Sequence, residues 1–265
     1  MHMAEVHFLG TGNAFSPPGR MHALALIDSK ILIDCPPTVI PQLIRGNCLP
    51  SEIKHLLITH WHADHTFGLP FLMLNRKWMP AEDSDGLGLE IHLEENGIEI
   101  LSNLCKTGYP GSLEDSLKND IIWKIDKRSR LTDTEWEMER FSVFHTPETE
   151  PHGYMLTHSS GFRLLHCGDS GPCEEINSRA GDSDVLIVEM GVPDYVDSPY
   201  HHNPSDVEKL SKKFPETKVL VTHNFSNNEN FRHGFVSPTL SSNIHQLADG
   251  DRLIIKGKND YIMKK

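Results

Sequence analysis

Long apolar runs are missing from this chain. No window approaches the ~18 uninterrupted apolar residues that a membrane-spanning helix needs, so no membrane partner is expected. The opening segment Met1-His2-Met3-Ala4-Glu5-Val6 has neither the basic flank nor the apolar stretch of a secretory signal, and the expected location is the cytoplasm. Cysteine is sparse and unpaired. The five cysteines (35, 48, 105, 167 and 173) are odd in number and form no C-x-x-C, which argues against a disulfide framework and against a cysteine-based zinc site. Basic charge is also short: 25 Lys and Arg face 37 Asp and Glu, a net charge of −12. Affinity for long RNA or DNA comes mainly from phosphate neutralisation by Lys and Arg, so such partners are not expected. A small phosphorylated substrate stays open, because bound divalent ions reverse the local charge. No internal repeat or linker divides the chain, and residues 1–265 are expected to form a single domain.

What is present alternates in a recognisable rhythm. Residues 5–9 read as a strand ended by Gly10-Thr11-Gly12-Asn13, and 23–27 with 31–33 read as a hairpin. Pro36-Pro37 opens a helix to about Arg45, a short buried strand covers 56–58, and 68–78 is helical. Strands at 89–93 and 121–125 enclose a helix at about 97–106; further strands are expected at 140–144, 154–157 and 162–167. A βαβ series follows: helix near 174–179, strand 185–189, helix 205–214, strand 219–222. Ser205-Asp206-Val207-Glu208 reads as a capping box with Pro204 beside it, and 252–256 with 261–263 as a closing hairpin. The polar stretches 80–88, 107–120 and 224–238 are expected to be loops. Strands and helices in two halves of similar make-up suggest an α/β architecture, two sheets between helix layers.

The densest chemistry lies in Thr59-His60-Trp61-His62-Ala63-Asp64-His65, directly after the apolar run 56–58. His60 and His62 are two apart and lean the same way on an extended backbone, while Asp64 and His65 need only a turn to reach a neighbouring position. Imidazole nitrogen and carboxylate oxygen suit Zn²⁺, and also Fe or Mn. One ion could be closed by His60, His62 and one further ligand. Other donors end strands in the same manner: His145 after 141–144, Asp169 after 164–168, His223 after 219–222. Strand C-termini converge at one edge of an open α/β sheet, so a second ion has donors available. His152 competes with His145 as the third histidine of the first set.

With these residues assembled, the chain resembles the metallo-β-lactamase superfamily, and within it the branch of ribonuclease Z and small cyclic-phosphate phosphodiesterases. The resemblance is carried by Phe8-Leu9-Gly10-Thr11-Gly12, Ile33-Asp34-Cys35, the heptad with Gly68-Leu69-Pro70, His145 ahead of Gly153-Tyr154, Cys167-Gly168-Asp169-Ser170-Gly171-Pro172, Asp184-Val185-Leu186-Ile187 with Glu189, and Val221-Thr222-His223. It implies a four-layer αββα sandwich with two divalent ions at the sheet edges, zinc foremost, with manganese or iron as alternatives. It further implies that His60, His62 and His145 hold one ion and Asp64, His65 and His223 the other, with Asp169 bridging. Family position favours His145 over His152. Asp34 is either an acceptor that orients ligand imidazoles from beneath or a plain turn aspartate.

The resemblance implies a dinuclear metal-dependent hydrolase. Two cations ~3.5–4 Å apart supply hydroxide near neutral pH and polarise the oxygen under attack. Asp64 would orient the attacking group, and His202, with His201 as the weaker candidate, would donate a proton to the leaving group. The other histidines (7, 22, 55, 92, 158, 166, 233 and 245) are expected to be structural or exposed, and Arg20 and Arg232 are candidate anion clamps or solvated side chains. Ribonuclease Z enzymes carry a tRNA-binding arm between the third His and the bridging Asp. Here 24 positions separate His145 and Asp169, too few for an arm. Gly171 also stands where ribonuclease Z tends to carry Arg. A small phosphodiester, a cyclic nucleotide or cyclic sugar phosphate, is therefore the expected substrate. The rivals are a lactone or thioester hydrolase, a ribonuclease Z-like endoribonuclease without the arm, and a metal-stabilised scaffold. Family resemblance makes a homodimer reasonable.

Overall fold

The computed structural model describes residues 3–80, 88–227 and 235–265. Its strands are β1 (Ala4–Gly10), β2 (Leu24–Ile27), β3 (Ile31–Ile33), β4 (His55–Leu57), β5 (Leu89–His92), β6 (Ile121–Lys124), β7 (Arg128–Arg130) and β8 (Trp136–Ser142). The rest are β9 (His152–His158), β10 (Arg163–His166), β11 (Val185–Met190), β12 (Lys218–Asn224), β13 (Ile244–Gln246), β14 (Arg252–Gly257) and β15 (Asp260–Lys264). Helices are α1 (Val39–Arg45), α2 (Ala63–Thr66), α3 (Leu69–Trp78), α4 (Asn96–Gly108), α5 (Glu114–Asn119), α6 (Glu174–Ala180) and α7 (Pro204–Lys213).

Among the described residues, one sheet runs β15-β14-β1-β2-β3-β4-β5-β6 and the other β13-β12-β11-β10-β9-β8-β7. The strand periodicity explains why they stack. In β11, Val185 and Ile187 enter the seam between the sheets, whereas Leu186 and Val188 face α6 and α7. A strand apolar on both faces has to be covered on both sides. Three apolar seams result. One lies between the first sheet and α1, α3 and α4 (Leu32, Leu43, Leu56, Leu72, Leu101). A second lies between the sheets (Phe8, Ile33, Leu57, Trp136, Ile187, Leu220), and a third packs Val207 and Leu210 of α7 against Val219 and Val221. This is the expected αββα sandwich.

The direction of the strands sets the site. β3 to β6 are mutually parallel, as are β10 to β13. β8 runs with β10, since each is antiparallel to β9. The segments leaving β4, β8, β10, β11 and β12 therefore emerge along one edge, where open α/β sheets gather ligands.

Several local expectations need correction. The stretch 107–120 is not all loop, since it contains α5. The α7 N-cap is Asn203, whose side chain accepts from Asp206 N, with Pro204 at the first helical position; Glu208 instead accepts from Ser241. Two short strands, β7 and β13, carried too little apolar pattern to be read. Most of the 80–88 connector, part of the 224–238 loop, Arg232 and His233 lie outside the described residues.

Candidate metal centre

The heptad begins where β4 ends. Thr59 and His60 follow the strand, His62 precedes α2 with φ −61° and ψ 153°, and α2 turns Asp64 and His65 back over the strand ends. Asp34, at φ +69°, holds this start in place. Its Oδ1 accepts from Thr59 N at 2.8 Å, and its Oδ2 accepts from Thr59 Oγ1 and from His65 Nδ1, both at 2.8 Å. Since the Thr59 hydroxyl is spent as donor to Asp34, it accepts from His60 Nδ1 at 3.0 Å. Asp34 thus orients His65 directly and His60 through Thr59, the orienting role rather than the turn role. His145 Nδ1 donates to the Tyr200 carbonyl at 2.9 Å. Each of these bonds commits Nδ1 as N–H and turns Nε2 toward the neighbouring rings and carboxylates.

The ring nitrogens converge. His62 Nδ1 lies 2.9 Å from His60 Nε2 and 3.2 Å from His145 Nε2. A second set adjoins the first: Asp64 Oδ2 is 3.3 Å from His65 Nε2 and 3.2 Å from His223 Nε2. Asp169 Oδ2 stands between the sets, 3.9 Å from His60 Nε2, 3.4 Å from His65 Nε2 and 3.2 Å from His223 Nε2. Around a tetrahedral zinc with bonds of ~2.0–2.1 Å, neighbouring ligand atoms are ~3.3–3.4 Å apart. Most of these spacings lie close to that edge. The three nitrogens of the first set cannot all donate, and burial, reinforced by the neighbouring imidazoles, keeps His60, His62 and His145 below the usual histidine range, hence neutral. Burial alone would raise Asp169 and Asp64, but His223 and His65 beside the one, and His65 beside the other, hold both carboxyls well below normal. Lone pairs on one side and two carboxylates on the other call for positive charge, and the donor set fits divalent ions.

His152 is absent from this cluster; its Nε2 is 3.1 Å from Glu94 Oε1. His202, expected as proton donor, is also elsewhere. It is fully buried, and its Nδ1 donates to the Ser170 carbonyl at 2.5 Å, pinning the segment that carries Asp169. The chain turns at Pro199-Tyr200 and bends at His201, and of the two histidines the one that faces the cluster is His201. Its ring stacks on His223 at 6.1 Å and meets His145 edge-on at 4.8 Å. Its Nδ1 is 2.7 Å from Oε1 of Glu189, a fully buried carboxylate at the end of β11. Burial pulls the His201 imidazole down, but Glu189 outweighs it and raises the group to about 9. The role of Glu189 was missed from sequence. A glutamate within the apolar run Val185-Leu186-Ile187-Val188 was the available sign.

Two further expectations resolve here. Arg20 is neither an anion clamp nor solvated: it is buried, bonding the carbonyls of Ser226 and Leu247 and the Thr11 hydroxyl. Gly171 has a steric reason, since a Cβ there would lie 1.8 Å from the Pro199 carbonyl oxygen. Between His145 and Asp169 the chain makes a 3₁₀ turn (Pro147–Thr149) and the β9–β10 hairpin, all of it within or against the sheet.

The pattern of the family described as "Anti-Pycsar protein Apyc1" matches residues 4–237. The chain belongs to this family. The Apyc1-family chain is also 26% identical to a ribonuclease Z from Pyrococcus horikoshii, with 99% of each chain covered. Among solved structures, its fold is similar to that of the metallo-β-lactamase fold protein YhfI from Bacillus subtilis, with TM-score 0.71, 15% identity and 94% and 98% of the two chains covered. It is likewise similar to the short form of human tRNase Z, with TM-score 0.69, 19% identity and 94% and 98% covered. The family member is thus a metal-dependent hydrolase of the metallo-β-lactamase superfamily, in the ribonuclease Z-like branch. None of its described helices is long and apolar enough to cross a membrane.

Proposed function

We propose that this chain, with residues 1–265 as one hydrolase domain, is a dinuclear metal-dependent phosphodiesterase acting on a small phosphodiester, in first place a cyclic nucleotide. The observation that carries the reading is two donor sets meeting at Asp169 with the Glu189–His201 pair lying over both. His60, His62 and His145 would hold one ion and Asp64, His65 and His223 the other, with Asp169 shared. Nitrogen and carboxylate donors suit zinc first, and manganese or iron next. Bound, such a pair activates water and neutralises phosphoryl oxygens.

The protein's own groups supply the rest. Asp64, held between His65 and His223, orients the attacking water. His201 keeps one ring nitrogen on Glu189 and holds a proton on the other for the departing alkoxide. His202 acts through Ser170, keeping the Asp169 segment in register. The small-substrate reading is supported by the compact β9–β10 hairpin in the place of an arm and by the net charge of −12. Phe144 and Tyr200, exposed and in contact beside His145, offer ring faces on which a nucleobase would stack, favouring a cyclic nucleotide over a cyclic sugar phosphate. The exposed Phe71 and Trp78 of α3 and Met79 just after it line one apolar cleft with Ile40 and Pro41 of α1, a patch suited to a second copy of the chain in a homodimer. Five free thiols accord with a cytoplasmic setting.

The deciding experiment is metal analysis of the purified protein beside a substrate panel. Turnover of cyclic nucleotides and bis-p-nitrophenyl phosphate, lost on chelation, is expected. Rapid hydrolysis of lactones or S-lactoylglutathione with phosphodiesters untouched would transfer the assignment to carboxylic-ester chemistry.

A further inference from the structure

A second cluster of donors lies at the opposite end of β4 from the heptad. His55 opens β4; Glu90 and His92 lie on β5, with His55 paired to Glu90 in register. All three point into the space between the sheets, because their neighbours Leu56 and Ile91 face the helices. Both histidines are fully buried, and the Glu90 side chain is 14% exposed.

The bonds around this cluster are incomplete in a specific way. His55 Nε2 donates to the Thr132 carbonyl at 2.8 Å, which leaves Nδ1 with a lone pair. That lone pair accepts from His92 Nε2 at 3.3 Å and also faces Glu90 Oε2 at 3.5 Å, while His92 Nε2 is 3.8 Å from the same carboxylate oxygen. Glu90 Oε2 is buried with no hydrogen-bond partner, while Oε1 accepts from the Thr132 hydroxyl at 3.2 Å. Two acceptors facing each other inside a protein repel unless a cation or proton lies between them. The Lys124 ammonium is 3.9 Å from Glu90 Oε2, beyond hydrogen-bond reach. Burial holds the His55 imidazole below its ordinary range and takes His92 down to about 3, so both rings are neutral.

We propose that His55, Glu90 and His92 form a further divalent-metal site, separate from the centre at the strand ends and suited to zinc. The spacings of 3.3, 3.5 and 3.8 Å start at the edge of a zinc tetrahedron, ~3.3–3.4 Å, and exceed it by at most a few tenths of an ångström, with the fourth position left to water. His55 has the outer partner that zinc-bound histidines usually show, a carbonyl accepting from the other ring nitrogen. Because Thr132 leads into β8 of the second sheet, an ion here ties the β4–β5 edge of one sheet to the other. Its function is structural.

The test is zinc-edge anomalous scattering from crystals of the wild-type protein grown with zinc, combined with zinc analysis of Glu90→Gln and His92→Gln after reloading. A peak between the three side chains is expected. Each variant should retain one zinc fewer per chain than wild type and melt lower, with bis-p-nitrophenyl phosphate turnover unchanged. Absence of the peak, or equal zinc content in wild type and folded variants, overturns the proposal. The anomalous map decides even where a variant fails to fold.

Discussion

Replacing Glu189 by Gln removes the charge that keeps His201 protonated while preserving shape and an acceptor for Ser170 N, which lies 3.3 Å away. Against burial, the carboxylate lifts His201 from 6.5 to about 9. At 1.36 kcal/mol per unit, a lift of that size is worth about 3 kcal/mol, carried mainly by Glu189 with Asp169 and Asp64 adding to it, and cations bound beside the ring would draw it down. Without Glu189, burial leaves the imidazole neutral near pH 7.5 and the leaving group loses its acid. General-acid catalysis contributes ~10²–10⁴-fold, and about 3 kcal/mol corresponds to ~10²-fold.

The assay compares two leaving groups. A cyclic nucleotide expels an alkoxide that needs a proton; bis-p-nitrophenyl phosphate expels a phenolate that leaves without one. Glu189→Gln should lower kcat/KM for the cyclic nucleotide by ~10²–10³ and for the aryl diester by less than ~10-fold. Adding His201→Ala to Glu189→Gln should cost little more, because the two residues act as one unit. His201→Ala alone is less informative. It strands a buried carboxylate, at a stability cost of about 3–5 kcal/mol. Equal losses on both substrates would refute the assignment of His201 as acid.

Chelation, His62→Ala and Asp169→Ala should each abolish phosphodiester turnover, and only the chelated protein should recover on adding zinc. Gly171→Arg places side-chain atoms where the Pro199 carbonyl lies; it should cost ~1–3 kcal/mol of stability and lower kcat by shifting Tyr200 and His201, read by thermal melting and kinetics. His7 is buried, and burial, aided by Arg252, lowers its imidazole to about 4. The folded protein therefore resists its protonation while the unfolded chain accepts it below ~6.5, so its contribution is whole above that pH and is lost as pH falls from 6.5 towards 4. Urea midpoints at pH 7.5 and pH 5 should differ less in His7→Gln than in wild type. With α1 and α3 as the proposed homodimer seam, the wild type should scatter light as a dimer and Trp78→Glu as a monomer.

What could be read in advance follows from how local each signal is. The heptad is a contiguous pattern on one strand end, so spacing alone brought out its donors. His145, Asp169 and His223 were legible because each follows an apolar strand, and parallel strands carry such positions to one edge. Short strands with little apolar content, such as Arg128–Arg130, exist only through pairing with β8 and left no periodicity of their own. The structure turns His201 rather than His202 toward the cluster, and the reason is tertiary. Nothing local says which of two adjacent histidines turns inward; that is decided by Ser170 O accepting from one and Glu189 from the other, 32 and 12 positions away. Yet Glu189 itself was visible as a charge inside an otherwise apolar strand. A buried carboxylate is costly without a paired cation, so its presence there required a partner, and only a residue arriving at the end of β11 could serve. Seeking that partner first would have selected His201, the ring that reaches back to β11, before His202.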